Sequence, residues 1–239
     1  MQEQNNISFA QPQISERDIA VYLSKVMGWM FVGLLTTLAI ATVFSAPRIF
    51  RMIYVGRYTF TFIMLAQIGV VFALRAAINR LSPAVATMLF ILYSALTGIT
   101  FSTLYHIFEL ASIVTVFGLA ALMFLTMSIY GFVTKRDLSR VGSIAIMALF
   151  GVIIASVFNM FFNSSMLDFI VCIIGLALFI GLTAYDVQRI KHSYVQAIIS
   201  GHDENSGEIK KLAIYGALEL YLDFINMFLY LLRLLGKRR

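Results

Sequence analysis

Acidic and amide side chains recur along the last apolar segment of the chain. Glu219 and Asp223 are four residues apart, and Asn226 follows three residues later, so all three fall on one face of a helix. An ionisable residue within a membrane helix costs roughly 2.5 to 3.5 kcal/mol to insert, and such residues usually face a partner or a water-filled cavity. The stripe therefore predicts a central C-terminal helix, surrounded by the other helices.

A second acidic residue, Asp186, ends the preceding apolar segment on the side from which the last segment starts. If the helix of Asp186 tilts, or the last segment begins one turn later than its predicted start, Asp186 and Asp223 can meet in the inner half of the membrane. Two carboxylates in a poorly hydrated site rarely both ionise, because desolvation and mutual repulsion oppose the second charge. We therefore expect the two aspartates to share one proton and to act as a pH-sensing pair. Arg75, on the same side of the membrane, is the expected counter-ion and gate.

Other residues near this pair suggest weaker interpretations. Glu219 and Asn226 are candidates for a cation path, because Ca²⁺ prefers carboxylate and carbonyl oxygens. In the alternative interpretation, Asp186 caps a helix end near Arg189, and Asp223 is neutral and hydrogen-bonded.

His192 and His202 lack metal-ligand spacing, so the sequence predicts no cofactor and identifies no certain metal ligand. His106 and Glu109 lie at a short outer loop, either as a solvated loop end or as a cation entry site.

The composition predicts an all-α, polytopic membrane protein. The chain is 60% hydrophobic and 13% charged, and a bilayer core of about 30 Å requires about 20 apolar residues per helix. Residues 1–22 are expected to form a polar tail and residues 23–239 a single domain of seven transmembrane helices. The predicted spans are residues 26–46, 58–74, 84–105, 110–132, 141–162, 167–186 and 212–235. Residues 187–211 are expected to form a long flexible loop.

The distribution of basic residues predicts a cytoplasmic N-terminus. Of the 18 Lys and Arg residues, eleven lie on the N-terminal side of the predicted spans, and positive residues favour the cytoplasmic side. These are Arg17, Lys25, Arg75, Arg80, Lys135, Arg136, Arg140, Arg189, Lys191, Lys210 and Lys211. The net charge of +6 therefore indicates contact with lipid head groups, not nucleic acid. The basic residues 237–239 fit the opposite side poorly.

Four segments resemble the Bax-inhibitor family, the transmembrane Bax-inhibitor-motif proteins, in its bacterial branch. They are GLTAYDVQRIK at residues 181–191, ALELYLDFINMFLYLLRLLG at 217–236, MLFILYSALTGITFS at 88–102 and YGFVTKRDLS at 130–139. Together they extend the resemblance over essentially all the predicted spans. The YD pair in one helix and the LDFIN run in the next rarely occur together otherwise.

The resemblance implies a seven-helix fold around the C-terminal helix and a pH-sensitive calcium leak that is not an enzyme. The family's aspartate pair corresponds to Asp186 and Asp223, and its arginine to Arg75. Met64 lies where some relatives carry a carboxylate, which weakens an outer calcium path. The implied location is the bacterial inner (plasma) membrane, with the lipid bilayer and calcium ions as partners.

Two alternative functions are consistent with the same residues. One is a regulatory membrane protein that modulates a membrane protease or a stress-response partner without transport. The other is an intramembrane aspartyl protease, since such enzymes also place a YD pair on one helix and an aspartate on the next. Tyr185 and Asp186 match the first half of that motif. The residues around Asp223 do not match the glycine-bounded second half.

Overall fold

The computed structural model describes residues 14–54, 59–77 and 81–239, except for the side chains of residues 52, 53, 60 and 75–77. Within these ranges the chain forms helices and no strands. The helices are α1 (Glu16–Phe44), α2 (Pro47–Tyr54), α3 (Thr59–Ala77), α4 (Pro83–Phe101), α5 (Leu104–Ile107), α6 (Leu110–Val133), α7 (Ser139–Phe162), α8 (Ser165–Ile199) and α9 (Gly207–Leu235). The all-helical prediction is confirmed.

Six helical segments in the described residues are long and apolar enough to cross a membrane. They are Glu16–Phe44, Pro83–Ile107, Leu110–Val133, Ser139–Phe162, Ser165–Ile199 and Gly207–Leu235. The second of these joins α4 to the short α5. The remaining predicted span, residues 58–74, overlaps α3, whose apolar portion Thr61–Leu74 is shorter. The chain is therefore an integral membrane protein with six candidate spans.

Helix α9 lies at the centre of the bundle. In its most apolar stretch of 18 residues, 72% are buried, against 17% to 33% in the other candidate spans. It packs against α1, α4, α6 and α8. The outer helices instead present large apolar side chains on their exposed faces, as lipid contact requires.

Helix α8 is much longer than the predicted span. The sequence predicts that this span ends at Asp186 and that residues 187–211 form a loop, and this prediction is wrong. Helix α8 continues for thirteen residues to Ile199, and α9 already begins at Gly207. The connection is residues 200–206, in which Gly201 adopts a φ of 87° that glycine tolerates easily. Polar residues extend α8 because that part of the helix lies beyond the apolar core.

Side-chain caps fix where several helices begin. Ser15 precedes α1 and forms a capping box with Asp18, which satisfies backbone N–H groups at the helix start. Helix α1 thus begins within the stretch expected to be a polar tail, of which residues 1–13 lie outside the described ranges. Ser206 caps α9 by accepting a hydrogen bond from the backbone N–H of Ile209 at 3.3 Å.

The C-terminal residues pair with the connection between α5 and α6. Phe108 and Arg238 form an antiparallel bridge, and the backbone N–H of Glu109 donates to the carbonyl of Lys237 at 3.0 Å. The Lys237 ammonium also lies 3.3 Å from the Glu109 carboxylate. Residues 237–239 therefore lie at the same end of the bundle as the α5–α6 connection. Backbone pairing accounts for this location, which the basic side chains alone do not favour.

Candidate functional site

The two aspartates identified from the sequence lie together between α8 and α9. The carboxyl groups of Asp186 and Asp223 are in hydrogen-bonding contact. Asp186 retains 9% of its surface exposed and Asp223 only 4%. Asp223 Oδ2 is buried without a hydrogen-bond partner among the described residues. The structure therefore brings the predicted pair together in a mostly dry setting.

A third carboxyl group, Glu219, lies one turn before Asp223 and pairs with Arg189. The Arg189 guanidinium contacts the Glu219 carboxylate and lies 3.6 Å from Asp186 Oδ1. Glu219 is 3% exposed, whereas the arginine side chain is 37% exposed. Its guanidinium carbon also lies 5.5 Å from the ring centroid of Tyr185. Arg189 is therefore a cation that touches two of the three acids.

The other residues predicted from the sequence are less closely connected with this cluster. Arg75 belongs to α3, but its side chain lies outside the described residues, so its role as counter-ion stays a prediction. Asn226 is half-buried, and its amide nitrogen donates to the carbonyl of Leu222 in the same helix at 2.8 Å. Its part in a cation path likewise stays a prediction.

A network of buried hydroxyl groups contacts α9 on the face away from the acids. It fixes the rotation of this helix about its own axis. The Tyr221 hydroxyl lies 2.6 Å from Thr37 Oγ1 of α1, and Thr37 donates to the carbonyl of Ser94 in α4 at 2.9 Å. Tyr221 is completely buried. Because residues two apart on a helix point in different directions, this anchor leaves Asp223 facing α8.

The α6–α7 connection is attached to α8 immediately after Asp186. Gln188 Oε1 accepts from the backbone N–H of Leu138 at 2.9 Å, and Gln188 Nε2 donates to the carbonyl of Arg136 at 2.8 Å. Lys191 Nζ donates to the carbonyl of Phe132 at 3.3 Å. A movement of α8 near Asp186 therefore also acts on this connection.

The arrangement has an unequal number of acidic and basic groups. Among the described side chains, which exclude that of Arg75, the acids Asp186, Glu219 and Asp223 face one guanidinium, that of Arg189. With Arg189 as the one cation that the described side chains supply, ionisation of all three acids would leave two negative charges uncompensated between packed helices, where repulsion is poorly screened. A proton held by the aspartates reduces that imbalance. The cluster can therefore bind or release a proton and change how strongly α8 and α9 attract each other.

Sequence reasoning named Arg189 only as a neighbour in the alternative interpretation and assigned the counter-ion role to Arg75. The informative signal is the spacing of Asp186 and Arg189, three residues apart, because residues at this spacing are neighbours on a helix surface. Ending the predicted span at Asp186 hid this relation, since Arg189 then fell in a loop.

Comparison with known proteins confirms the family resemblance found in the sequence. Residues 19–239 match the model of a protein family described as "Inhibitor of apoptosis-promoting Bax1". The chain is 42% identical over 233 residues to the inner membrane protein YbhL of Escherichia coli, covering 97% of each chain. It is 46% identical over 220 residues to a protein of Borreliella burgdorferi, covering 91% of this chain and 92% of the relative. A Rickettsia prowazekii protein is 41% identical over 219 residues, covering 91% of this chain and 90% of its own.

The range of this chain that the family model matches, residues 19–239, covers α9, Asp186, Arg189 and Asp223, and three relatives align over nine-tenths or more of the chain. These matches are far more extensive than a shared composition of apolar helices would produce. The chain is a membrane protein of the Bax inhibitor family.

Proposed function

We propose that this protein is a pH-sensitive calcium leak channel in the bacterial inner membrane, with its N-terminus in the cytoplasm. The observation that carries the proposal is the contact between the buried carboxyl groups of Asp186 and Asp223. While they share a proton, a hydrogen bond joins α8 to α9. Loss of that proton replaces the bond with repulsion, which favours separation of the helices and a cation path between them.

Arg189 is the counter-ion that the described residues supply for this switch. It already pairs with Glu219, so its single charge cannot neutralise both aspartates as well. We therefore expect ionisation of the pair to weaken the α8–α9 contact, and flux to rise with increasing pH. Arg75, which belongs to α3, remains a second candidate for the gate.

Helix α3 is proposed as the seventh membrane span. Its 19 residues extend about 28 Å at about 1.5 Å per residue, close to the thickness of a bilayer core. It packs against α4. An odd number of spans also agrees with the location of residues 237–239 at the end of the bundle opposite the start of α1.

The experiment is calcium flux from liposomes that contain the purified protein, measured from pH 6 to pH 8. We expect wild-type flux to rise with pH and Asp223→Asn, which cannot ionise, to give low flux throughout. Asp168→Asn is the matched control, because Asp168 pairs with Arg233 in an exposed ion pair far from the aspartates. It should keep the wild-type pH profile.

Equal pH profiles for wild type and Asp223→Asn would contradict gating by the aspartates. Absence of flux from all three proteins, together with a stoichiometric co-purifying membrane protein, would favour the regulatory alternative. Thermal unfolding of each purified variant establishes that it is folded before the flux is compared.

A further inference from the structure

A polar cavity of about 400 Å³ opens at the end of the bundle where α1 begins and α6 ends. Glu16 of α1 lines one side, and Gln188, Lys191 and His192 of α8 line another. Residues 132–137 complete its wall. Because α6 passes here from an apolar span into a polar connection, the cavity lies at the level where lipid head groups are found.

The cavity carries an excess of positive charge. Lys135, Arg136 and Lys191 line it, together with the acids Glu16 and Asp137. Among the described residues, no carboxylate lies within ion-pair distance of any of these three cations. Hydrogen bonds from the side chain and backbone of Ser139 lower the pKa of the Asp137 carboxyl, and the Ser139 backbone N–H donates to Asp137 Oδ1 at 2.9 Å.

An apolar cleft of about 190 Å³ adjoins this cavity between α1 and α6. Phe132 lines both spaces. Along α1, Glu16 borders the polar cavity, and the following turns supply Ala20, Leu23, Ser24 and Met27 to the cleft. Ser128 also lines the cleft, and its buried hydroxyl has no hydrogen-bond partner among the described residues. The cavity and the cleft therefore form one continuous groove. It is basic and polar at the end of the bundle and becomes apolar between the membrane-spanning parts of α1 and α6.

We propose that this groove binds a phospholipid with an anionic head group. The phosphate lies among Lys135, Arg136 and Lys191, and one acyl chain follows the cleft between α1 and α6. Lys191 is at the junction, because its ammonium lies 5.3 Å from the ring centroid of Phe132. Basic pockets between membrane helices bind lipid head groups in this manner, and the apolar continuation distinguishes a lipid from a soluble anion.

The test is native mass spectrometry of the full chain in detergent, titrated with phosphatidylglycerol or phosphatidylcholine. We expect phosphatidylglycerol to bind more tightly than phosphatidylcholine. The double substitution Lys135→Gln and Arg136→Gln should weaken that binding by about tenfold or more, since each basic residue near a lipid surface contributes on the order of 1 kcal/mol. Arg238→Gln with Arg239→Gln removes the same charge at the opposite end and should change affinity less than about twofold.

A second variant examines the acyl-chain cleft. Ala20 is exposed on the face of α1 that lines it, and Ala20→Trp should fill the cleft and weaken phosphatidylglycerol binding. Glycerol 3-phosphate, which lacks acyl chains, should bind wild type weakly and should be insensitive to Ala20→Trp. Equal affinity of both lipids, or no effect of the Lys135 and Arg136 substitutions, would overturn the proposal. Glycerol 3-phosphate binding as tight as that of the lipid would show a soluble-anion site instead.

Discussion

At the scale of single residues, Arg189 and Glu219 differ in the solvent available to each. Glu219 is 3% exposed and depends on its partner, whereas Arg189 is 37% exposed and can be hydrated from one side. The Arg189 guanidinium also lies 3.6 Å from Asp186 Oδ1. Removal of one member should therefore have a different effect from removal of the other.

We expect Arg189→Gln to destabilise the protein by about 1–3 kcal/mol, because it leaves Glu219 buried without a cation. This value lies below that for a fully buried pair, because the arginine is partly screened by solvent. Glu219→Gln should cost less, and the double variant should recover part of the loss. Thermal unfolding in detergent micelles measures all three. Simple addition of the two single effects would show that the residues are not coupled.

The aspartate pair was predictable from the sequence because buried ionisable residues in apolar segments are rare and their spacing defines a helix face. The counter-ion was not predictable in the same way. Arg75 and Arg189 both lie on the expected side of the membrane. To choose between them, one must know where α8 ends, and hydropathy does not define that point.

At the scale of helices, α6 and α8 approach so closely that backbone touches backbone. A Cβ atom at Gly131 would lie 2.3 Å from the carbonyl oxygen of Ala184, two residues before Asp186. A carbonyl in a helix cannot rotate away as a side chain does. A glycine is therefore needed at position 131 for α6 to pack this closely against α8, the helix that carries Asp186.

We expect Gly131→Ala to destabilise the protein by about 1–3 kcal/mol, through displacement of α8 from α6. Gly118→Ala is the control in the same helix, since a Cβ there meets no atom within 4 Å. It should be neutral or should stabilise by up to about 1 kcal/mol, as alanine favours helix more than glycine does. Thermal unfolding of both variants provides the comparison, and equal melting temperatures would contradict the close contact.

Hydropathy predicted which segments span the apolar region as helices but not where α8 ends. The apolar stretch of α8 stops near Asp186, and the polar residues after it resemble a loop in composition. Their helical state follows from packing: Val187, Ile190 and Tyr194 are buried, although they are separated by polar positions. Tyr194 stacks on Tyr22 of α1 with ring centroids 4.3 Å apart, a contact that only the folded chain reveals.

At the scale of the whole molecule, the C-terminal residues pair with the α5–α6 connection, so both lie at the same end of the helix bundle. Composition alone left residues 237–239 in conflict with the charge distribution. The backbone hydrogen bonds between residues 107–109 and 237–239 place these basic residues at the same end of the bundle as the α5–α6 connection. The number of spans and their orientation are separate matters that labelling can test.

We expect cysteines introduced at His106 and Arg239 to react with a membrane-impermeant maleimide from one side, and a cysteine at Lys135 to react only from the other. The background is Cys172→Ala, which removes the only native cysteine. With a cytoplasmic N-terminus, intact cells should label the first two positions and not the third. Labelling of positions 106 and 239 from different sides would contradict the observed pairing.

The length of α8 has a mechanical consequence. Its 35 residues span about 52 Å at about 1.5 Å per residue, well beyond a bilayer core of about 30 Å. The thirteen residues after Asp186 therefore extend α8 beyond the apolar core. In the proposed gating, a tilt of α8 at Asp186 would move Ile199 further than Asp186, because Ile199 lies thirteen residues along the same helix, or roughly 20 Å at about 1.5 Å per residue.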